Sequence, residues 1–140
     1  MSIVMVRIFG IYIKVKSLQK LEMSGNIQIG EKGEKLAAEF LIGKKFNIVA
    51  LNWHYRHKEI DIIAYDKNRL VIVEVKLRST DYYGDPSEFV TKKKQRYLIE
   101  AAEAYLDTIP SAPEVRFDIV SIIGTNGDYH IEHIEDAFNP

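Results

Sequence analysis

The sequence predicts an α/β protein with a mixed central β-sheet flanked by helices. From Gly30 onward, apolar periodicity gives the order helix, three strands, helix, strand, strand. The third strand, the long helix and the next strand form a crossover unit, for which parallel strands and a right-handed connection are expected. The chain has 140 residues and is 46% hydrophobic. That suffices for one core and excludes disordered or low-complexity architectures.

The first half of the domain consists of a helix and three strands. Glu31–Gly43 carries apolar residues at helical spacing and has a glycine at its end. Strands are expected over Phe46–Trp53, Glu59–Tyr65 and Leu70–Leu77, which are rich in Ile and Val. The turn chemistry of Asp66–Arg69 indicates that the second and third of these strands form a hairpin.

The second half consists of a long helix and two strands. The helix is expected from about Ser87 to Leu106, after a loop over Asp81–Pro86. A strand over Val115–Ile123 follows, and a second strand over Tyr129–Ile134. The turn residues Thr125–Asp128 connect these two strands, so the core order becomes α-β-β-β-α-β with one further strand.

Residues 1–25 are predicted to be an N-terminal extension of a single domain over residues 26–140. The apolar segment Ile3–Ile13 contains Arg7 and Gly10 and is too short to span a membrane, so no membrane partner is expected. It also lacks the features of a signal peptide. Ile11–Lys16 alternates apolar and polar residues, which indicates either an extra edge strand or an appendage.

Composition bounds the chemistry and the partners. The chain has no cysteine, which excludes disulfides, cysteine zinc sites and thiol nucleophiles and favours a reducing compartment, the cytoplasm. The formal net charge of −1 divides into +7 over residues 1–96 and −8 over residues 97–140. Two interpretations stay open: a basic surface for an anionic partner, or two halves that interleave in space.

The most informative residues lie on the predicted hairpin. Glu74 interrupts an apolar strand, where an unpaired carboxylate is costly to bury. If Lys67–Asn68 form the turn, Asp61 lies opposite Glu74, and Glu59 lies opposite Lys76 on the same face. Asp61 and Glu74 could then both reach a Mg²⁺ or Mn²⁺ ion. In the first helix, Glu34 lies on the apolar stripe that packs on the sheet.

This arrangement suits metal-dependent hydrolysis of a phosphodiester. A metal held by Asp61 and Glu74 would lower the pKa of a bound water and stabilise charge on the phosphate. Lys76 is expected to orient or help deprotonate that water, or to offset charge in the transition state. Glu34 is expected to bind the metal through water or to form a second metal site. Glu59 is expected to pair with Lys76 or to support it. The predicted catalytic set is therefore Glu34, Asp61, Glu74 and Lys76.

Other residues are candidates for contacts to nucleic acid. The predicted phosphate-binding residues are Arg56, Arg78, Lys92, Lys93, Lys94 and Arg96. The alternative for the three lysines is a solvated first helical turn, although cations oppose the helix dipole there. Trp53, Tyr82 and Tyr83 either stack on unpaired bases or pack within the protein.

Two His-x-x-His spacings and one aspartate have simpler interpretations. His54 and His57, like His130 and His133, are three residues apart, and on strands such residues face opposite sides. The spacing therefore disfavours zinc. Asp118 follows an aromatic residue in a strand and is expected to be structural.

A resemblance to a known family extends this interpretation. The residues that carry it are Gly33-Glu34, Asn52, Glu59–Ala64, Leu70–Lys76, Arg78, Tyr83–Asp85, Val90, Lys94, Ala101, Tyr105-Leu106, Arg116–Asp118 and Ala137-Phe138. Over residues 28 to 139 the chain resembles the YraN family, small bacterial proteins regarded as predicted endonucleases of the restriction-endonuclease-like fold and similar to archaeal Holliday junction resolvases. The resemblance implies that Asp61, Glu74 and Lys76 occupy the nuclease acid-acid-lysine positions, with Glu34 as the helix glutamate.

The functional expectation is a Mg²⁺- or Mn²⁺-dependent endonuclease that hydrolyses DNA, including branched or structured DNA. A junction resolvase needs two active sites, so that activity implies a homodimer. The alternative is a non-catalytic nucleic-acid-binding or adaptor protein that retains the nuclease fold. The chain departs from the family at Lys58, where glycine is usual, and its first twenty or so residues have no counterpart.

Overall fold

The computed structural model describes residues 3–8, 11–16, 29–78, 90–125 and 128–140. The loop predicted over 81–86, with Tyr82 and Tyr83, lies outside the described residues. The elements are β1 (Ile3–Ile8), β2 (Ile11–Lys16), α1 (Ile29–Gly43), β3 (Asn47–Tyr55), β4 (Lys58–Asp66), β5 (Arg69–Arg78), α2 (Lys92–Leu106), β6 (Val115–Thr125) and β7 (Asp128–Phe138).

Five of the strands form one mixed sheet in the order β3-β4-β5-β6-β7. All neighbours are antiparallel except β5 and β6, which are parallel and joined through α2. The predicted parallel crossover is therefore confirmed. The fold is mixed α/β and consistent with a restriction-endonuclease-like architecture, as predicted.

The two helices cover opposite faces of the sheet. On one face, Ala37 and Leu41 of α1 are buried in a cluster with Val71 and Val73 of β5. On the other face, Leu98 and Ala101 of α2 are among the residues buried in a second cluster, which includes Ile72 of β5. Successive residues of a strand point to opposite faces of the sheet. The consecutive apolar residues in the first half of β5 therefore pack against both helices.

The N-terminal strands are separate from this sheet. Residues 11–16 form a strand, but β2 pairs with β1 in a two-stranded antiparallel sheet and does not extend the central one. Among the described residues, no helix is long and apolar enough to cross a membrane.

The long helix begins later than we expected. Ser87 lies outside the described residues, but Val90 and Thr91 are non-helical and α2 begins at Lys92. The Thr91 side chain accepts a hydrogen bond of 3.1 Å from the backbone N–H of Lys94. This cap satisfies one of the free donors of the first turn and fixes where the helix begins.

The β4–β5 hairpin determines where the candidate site forms. Its register follows the predicted one from Asp66–Arg69 to Ile62–Val73, where the paired ladder ends. Beyond that point, the backbone N–H of Val75 donates a 2.8 Å hydrogen bond to Oδ2 of Asp61. The expected backbone pairs of Asp61 with Glu74 and of Glu59 with Lys76 are therefore wrong. The Asp61 side chain replaces the ladder, and the two strands part.

Candidate active site

Glu34 reaches the end of the β4–β5 hairpin where the two strands separate, because α1 packs closely on β5. A Cβ atom added to Gly33 would lie 3.1 Å from the Cβ of Leu77, which is tighter than normal contact. The missing side chain at Gly33 thus allows the first turns of α1 to approach the strand. In the sequence, Gly33 was notable only as part of the family motif, since the close approach depends on the tertiary packing.

Three carboxylates converge at the parted end. Glu34, Glu59 and Asp61 each offer one oxygen, and these oxygens lie within 4.8 Å of one another. We refer to these three residues as the acidic cluster. Lys76 contacts Glu74, whereas Glu59 lies 3.8 Å from Nε2 of His54. The expected pairing of Glu59 with Lys76 is therefore wrong, and Glu59 faces the other acids.

The electrostatics of Glu34 favour its neutral form. Burial, followed by the charge of Asp61, raises the pKa of Glu34 to about 7, although a hydrogen bond with the Asn52 side chain opposes this shift. The Oε2 atom of Glu34 is buried and has no hydrogen-bond partner. A proton or a cation is therefore needed to compensate this carboxylate.

Glu74 lies beside the acidic cluster and is only 4% exposed. Its Oε1 atom lies 3.4 Å from Nζ of Lys76 and 3.7 Å from Nζ of Lys94, while its buried Oε2 has no hydrogen-bond partner. Burial, followed by the charge of Asp61, raises the pKa of Glu74 to about 7 against the attraction of both lysines. Two ammonium groups at these distances therefore compensate the buried carboxylate only in part.

Asn52 supports the acidic cluster from β3. It lies between the residue pairs Leu51–Ile62 and Trp53–Ile60, which places it across from Asp61. Its φ of 48° is left-handed, a region that asparagine tolerates better than most residues. Its backbone carbonyl accepts a 2.7 Å hydrogen bond from Nδ1 of His54. In the sequence, Asn52 stands out only as part of the family motif, with no role assigned to it.

The predicted phosphate-binding residues divide into two groups. Lys94 contacts Glu74 and thus joins the site, while Lys92, Lys93 and Arg96 are exposed on the first turns of the same helix. Arg56 is exposed in the turn between β3 and β4. Nη1 of Arg78 donates a 3.2 Å hydrogen bond to the carbonyl of Leu77. Of the six, the structure brings Lys94 to the buried carboxylate.

The site residues present fit a hard divalent cation. Mg²⁺ and Mn²⁺ prefer carboxylate oxygens, and four carboxylates lie at or beside the parted strands. The unpartnered buried oxygens of Glu34 and Glu74 are the atoms that such an ion would compensate. Among the described residues, no histidine belongs to a candidate metal-binding group.

Asp118 on β6 is a buried carboxylate of another kind. Its two oxygens accept hydrogen bonds of 2.8 Å from Nε and Nη2 of Arg116, 2.8 Å from Nε2 of His133 and 3.0 Å from the backbone N–H of Asp136. Burial opposes ionisation, but the hydrogen bonds from His133 and Arg116 outweigh it and hold the pKa of Asp118 below its ordinary value. The expectation that Asp118 is structural is in line with these contacts.

Fold and site together define a mixed α/β protein whose sheet parts at a cluster of carboxylates flanked by lysines. The model of the uncharacterised protein family UPF0102 matches residues 33–122, which include most of α1, the β4–β5 hairpin and α2. The chain belongs to this family, which is the YraN family. The resemblance stated from the sequence is therefore confirmed.

Relatives across several bacteria support this assignment. A UPF0102 protein of Phocaeicola vulgatus is 42% identical over 118 residues, which cover 84% of this chain and 98% of the relative. One from Christiangramia forsetii is 43% identical over 116 residues, covering 83% and 98%. One from Chlorobium phaeobacteroides is 45% identical over 117 residues, covering 79% and 93%.

Proposed function

We propose that this protein is a metal-dependent endonuclease that hydrolyses phosphodiester bonds in DNA, including branched or structured DNA. The observation that carries the proposal is the convergence of Glu34, Glu59 and Asp61 beside the buried Glu74. Carboxylates held close together with unsatisfied oxygens are costly to a fold, and a divalent cation compensates them.

Mg²⁺ or Mn²⁺ is the cofactor of this proposal. Asp61 and Glu74 would hold it, and Glu34 and Glu59 supply further carboxylates at the same place. When bound, such an ion lowers the pKa of a water molecule and stabilises negative charge on the phosphate.

Protein side chains supply the remaining chemistry. Glu34, whose buried Oε2 has no hydrogen-bond partner, would bind the ion through a water molecule and orient that water for attack. The ammonium groups of Lys76 and Lys94 lie next to Glu74 and would orient the scissile phosphate and offset its developing charge.

In this proposal, cations on the first turns of α2 and at the end of β5 bind the duplex. Lys92, Lys93 and Arg96, which are exposed, and Arg78, which is half-buried, would contact phosphates, and such contacts position a duplex without reading its sequence. Cleavage of a four-way junction needs two such sites, so this activity implies a homodimer. The cysteine-free sequence favours the cytoplasm as the compartment.

The test is a cleavage assay with Mg²⁺ and with Mn²⁺. The substrates are supercoiled plasmid, blunt duplex, flap, four-way junction and single strand. We expect Glu74→Ala to lower the cleavage rate by at least about a hundredfold, because the site loses its buried carboxylate. Glu132→Ala is the matched control, because Glu132 is exposed on β7 and should retain full activity.

Two results would contradict the proposal. Equal rates for the wild type and Glu74→Ala would remove the assigned active site. No cleavage of any substrate, combined with salt-sensitive DNA binding, would favour a non-catalytic nucleic-acid-binding protein that retains the nuclease fold.

A further inference from the structure

Cationic and aromatic side chains alternate along one side of α2 and the turn between β3 and β4. Nζ of Lys93 lies 5.7 Å from the ring centre of Tyr97, and Nζ of Lys58 lies 5.4 Å from the same ring. Lys58 also lies 6.0 Å from the ring of Tyr55, and the Arg56 guanidinium stacks on that ring at 5.1 Å. We refer to these five residues as the cation–aromatic strip.

The strip is held in place by its central member. The Lys58 side chain is only 10% exposed, lies between the two tyrosine rings, and forms a 2.9 Å ion pair with Glu100. Lys58 therefore fixes the rings, and its own charge is already compensated. Lys93 and Arg56, at the two ends, are exposed and remain the cations that an anionic ligand can reach.

One end of the strip adjoins the candidate active site. Lys93 directly precedes Lys94, whose ammonium group contacts Glu74. The other end opens into a cavity of about 510 Å³ between the β3–β4 turn and the second half of α2. Trp53 and Tyr55 line this cavity from the hairpin, and Glu103 and Asp107 line it from the helix. At 1.5 Å per helical residue, Lys93 and Asp107 are about 20 Å apart, room for several nucleotides.

We propose that the cation–aromatic strip binds an unpaired DNA strand that leaves the active site, and that one base enters the cavity. The proposal rests on the proposed function and specifies its substrate class, a duplex with a single-stranded flank. The exposed cations Lys93 and Arg56 would bind the backbone phosphates, and the Trp53 ring that lines the cavity can stack on a base of any type, which is the usual composition of single-strand binding surfaces. Glu103 and Asp107 can accept hydrogen bonds from the amino groups of the base.

The binding test uses the full-length protein in EDTA, so that no cleavage occurs. The probes are a mixed-sequence 12-nucleotide single strand and a blunt duplex of equal length, both dye-labelled for fluorescence anisotropy. Trp53 is the only tryptophan of the chain, so its intrinsic fluorescence reports occupation of the cavity. We expect the single strand to bind more tightly than the duplex and to quench Trp53.

Arg56→Gly and Lys67→Gly form a matched pair of variants. Each residue is exposed and is the first of two residues in a hairpin turn, with φ of 56° at Arg56 and 57° at Lys67. Glycine is favoured at such angles, so both variants should fold and each loses one positive charge. The turns lie at opposite ends of β4, so only Arg56 is on the strip.

We expect Arg56→Gly to weaken single-strand binding about five- to tenfold and to reduce the slope of log K against log salt by about 0.7, the value for one lost phosphate contact. Lys67→Gly should bind as the wild type does. Tyr97→Leu should also weaken binding at least about fivefold, because Lys93 and Lys58 lose the ring that holds their ammonium groups in place.

Three outcomes would overturn the proposal: equal affinity for single strand and duplex, no change of Trp53 fluorescence at saturation, or equal losses in Arg56→Gly and Lys67→Gly. Quenching of Trp53 by a polylysine peptide and not by DNA would assign the cavity, with its Glu103 and Asp107, to a basic protein partner. Because binding is measured without metal, a failure of the strip leaves cleavage intact, and a failure of cleavage leaves the strip intact.

Discussion

Two buried carboxylates on neighbouring strands, Glu74 of β5 and Asp118 of β6, have opposite electrostatic environments. Both oxygens of Asp118 accept hydrogen bonds, and its pKa is lowered. Glu74 has one oxygen with no hydrogen-bond partner, two lysines beyond 3.3 Å and a pKa raised to about 7. The two side chains are similarly hidden from water, at 0% and 4% exposure.

The difference is the one expected between a structural carboxylate and a carboxylate that binds a cation. Charge at Asp118 is balanced by Arg116, and His133 donates a hydrogen bond to it, so the fold itself stabilises the ionised form. At Glu34 and Glu74 the fold favours the protonated form, and an added cation would reverse that preference. Burial alone does not distinguish the two cases, whereas the count of satisfied oxygens does.

The largest expected effect on stability comes from replacing each of the two buried carboxylates, Asp118 and Glu74, with its amide. Asp118→Asn should lower the free energy of unfolding by about 3 kcal/mol, because it removes the charged partner that is buried with Arg116 and leaves only the more exposed Asp66 and Glu135. Glu74→Gln, which removes an uncompensated buried charge, should raise it by about 1 kcal/mol at pH 8 in EDTA. Urea denaturation measures both. Losses of similar size would contradict the comparison.

A smaller effect on the free energy of unfolding is expected from a change of pH. Because the pKa values of Glu34 and Glu74 are raised from 4.5 to about 7, their contribution to stability is present below pH 4.5 and lost as the pH rises through 7. Thermal melts in EDTA between pH 5 and 8 should therefore lose less stability in the Glu34→Gln/Glu74→Gln double variant than in the wild type. Equal pH slopes would contradict the raised pKa values.

Mg²⁺ should increase the stability of the wild type more at pH 8 than at pH 5. When the Mg²⁺ concentration is about 100 times the dissociation constant, binding should add about 2.7 kcal/mol to the free energy of unfolding at pH 8. At pH 5 protons compete for the carboxylates, and the gain should disappear. The double variant is the control, since it should gain little at either pH.

The smallest effect on stability is expected at Gly33. Gly33→Ala gains about 1 kcal/mol of helix propensity but brings a Cβ to 3.1 Å from Leu77, so the two terms nearly cancel. Movement of α1 away from β5 would displace Glu34, and a displacement of about 1 Å can cost a hundredfold in rate. We therefore expect a nearly unchanged urea midpoint with clearly reduced cleavage, whereas a large loss of stability would indicate that α1 cannot move.

The sequence was sufficient to predict the element order from α1 onward and the hairpin register, but not the strand β1. A two-residue turn at Lys67–Asn68 fixes which residues of β4 and β5 are opposite, even though the first half of β5 is apolar on both faces. Glu74 and Glu34 were found because each is a charge at an apolar position. These signals are local, so they can be recognised without knowledge of the tertiary structure.

Other features could not be predicted because they depend on contacts between distant segments. The ladder ends at Ile62–Val73 because the Asp61 side chain accepts a hydrogen bond from the backbone N–H of Val75. No pattern in the sequence predicts this hydrogen bond. Glu59 was assigned to Lys76 from ideal pairing, which fails once the strands part. The late start of α2 was missed because Thr91 resembles an ordinary loop residue until its cap is seen.

The early end of the β4–β5 ladder also determines how the candidate site is divided between strands. Five residue pairs join β4 to β5, whereas nine join β5 to β6. Glu59 and Asp61 lie on β4, and Glu74 and Lys76 lie on β5, so the site spans the shorter of these two seams. The hydrogen bond from the backbone N–H of Val75 to Asp61 joins the two strands there, at the place where a continuous ladder would otherwise fix the distance between the two groups of charges.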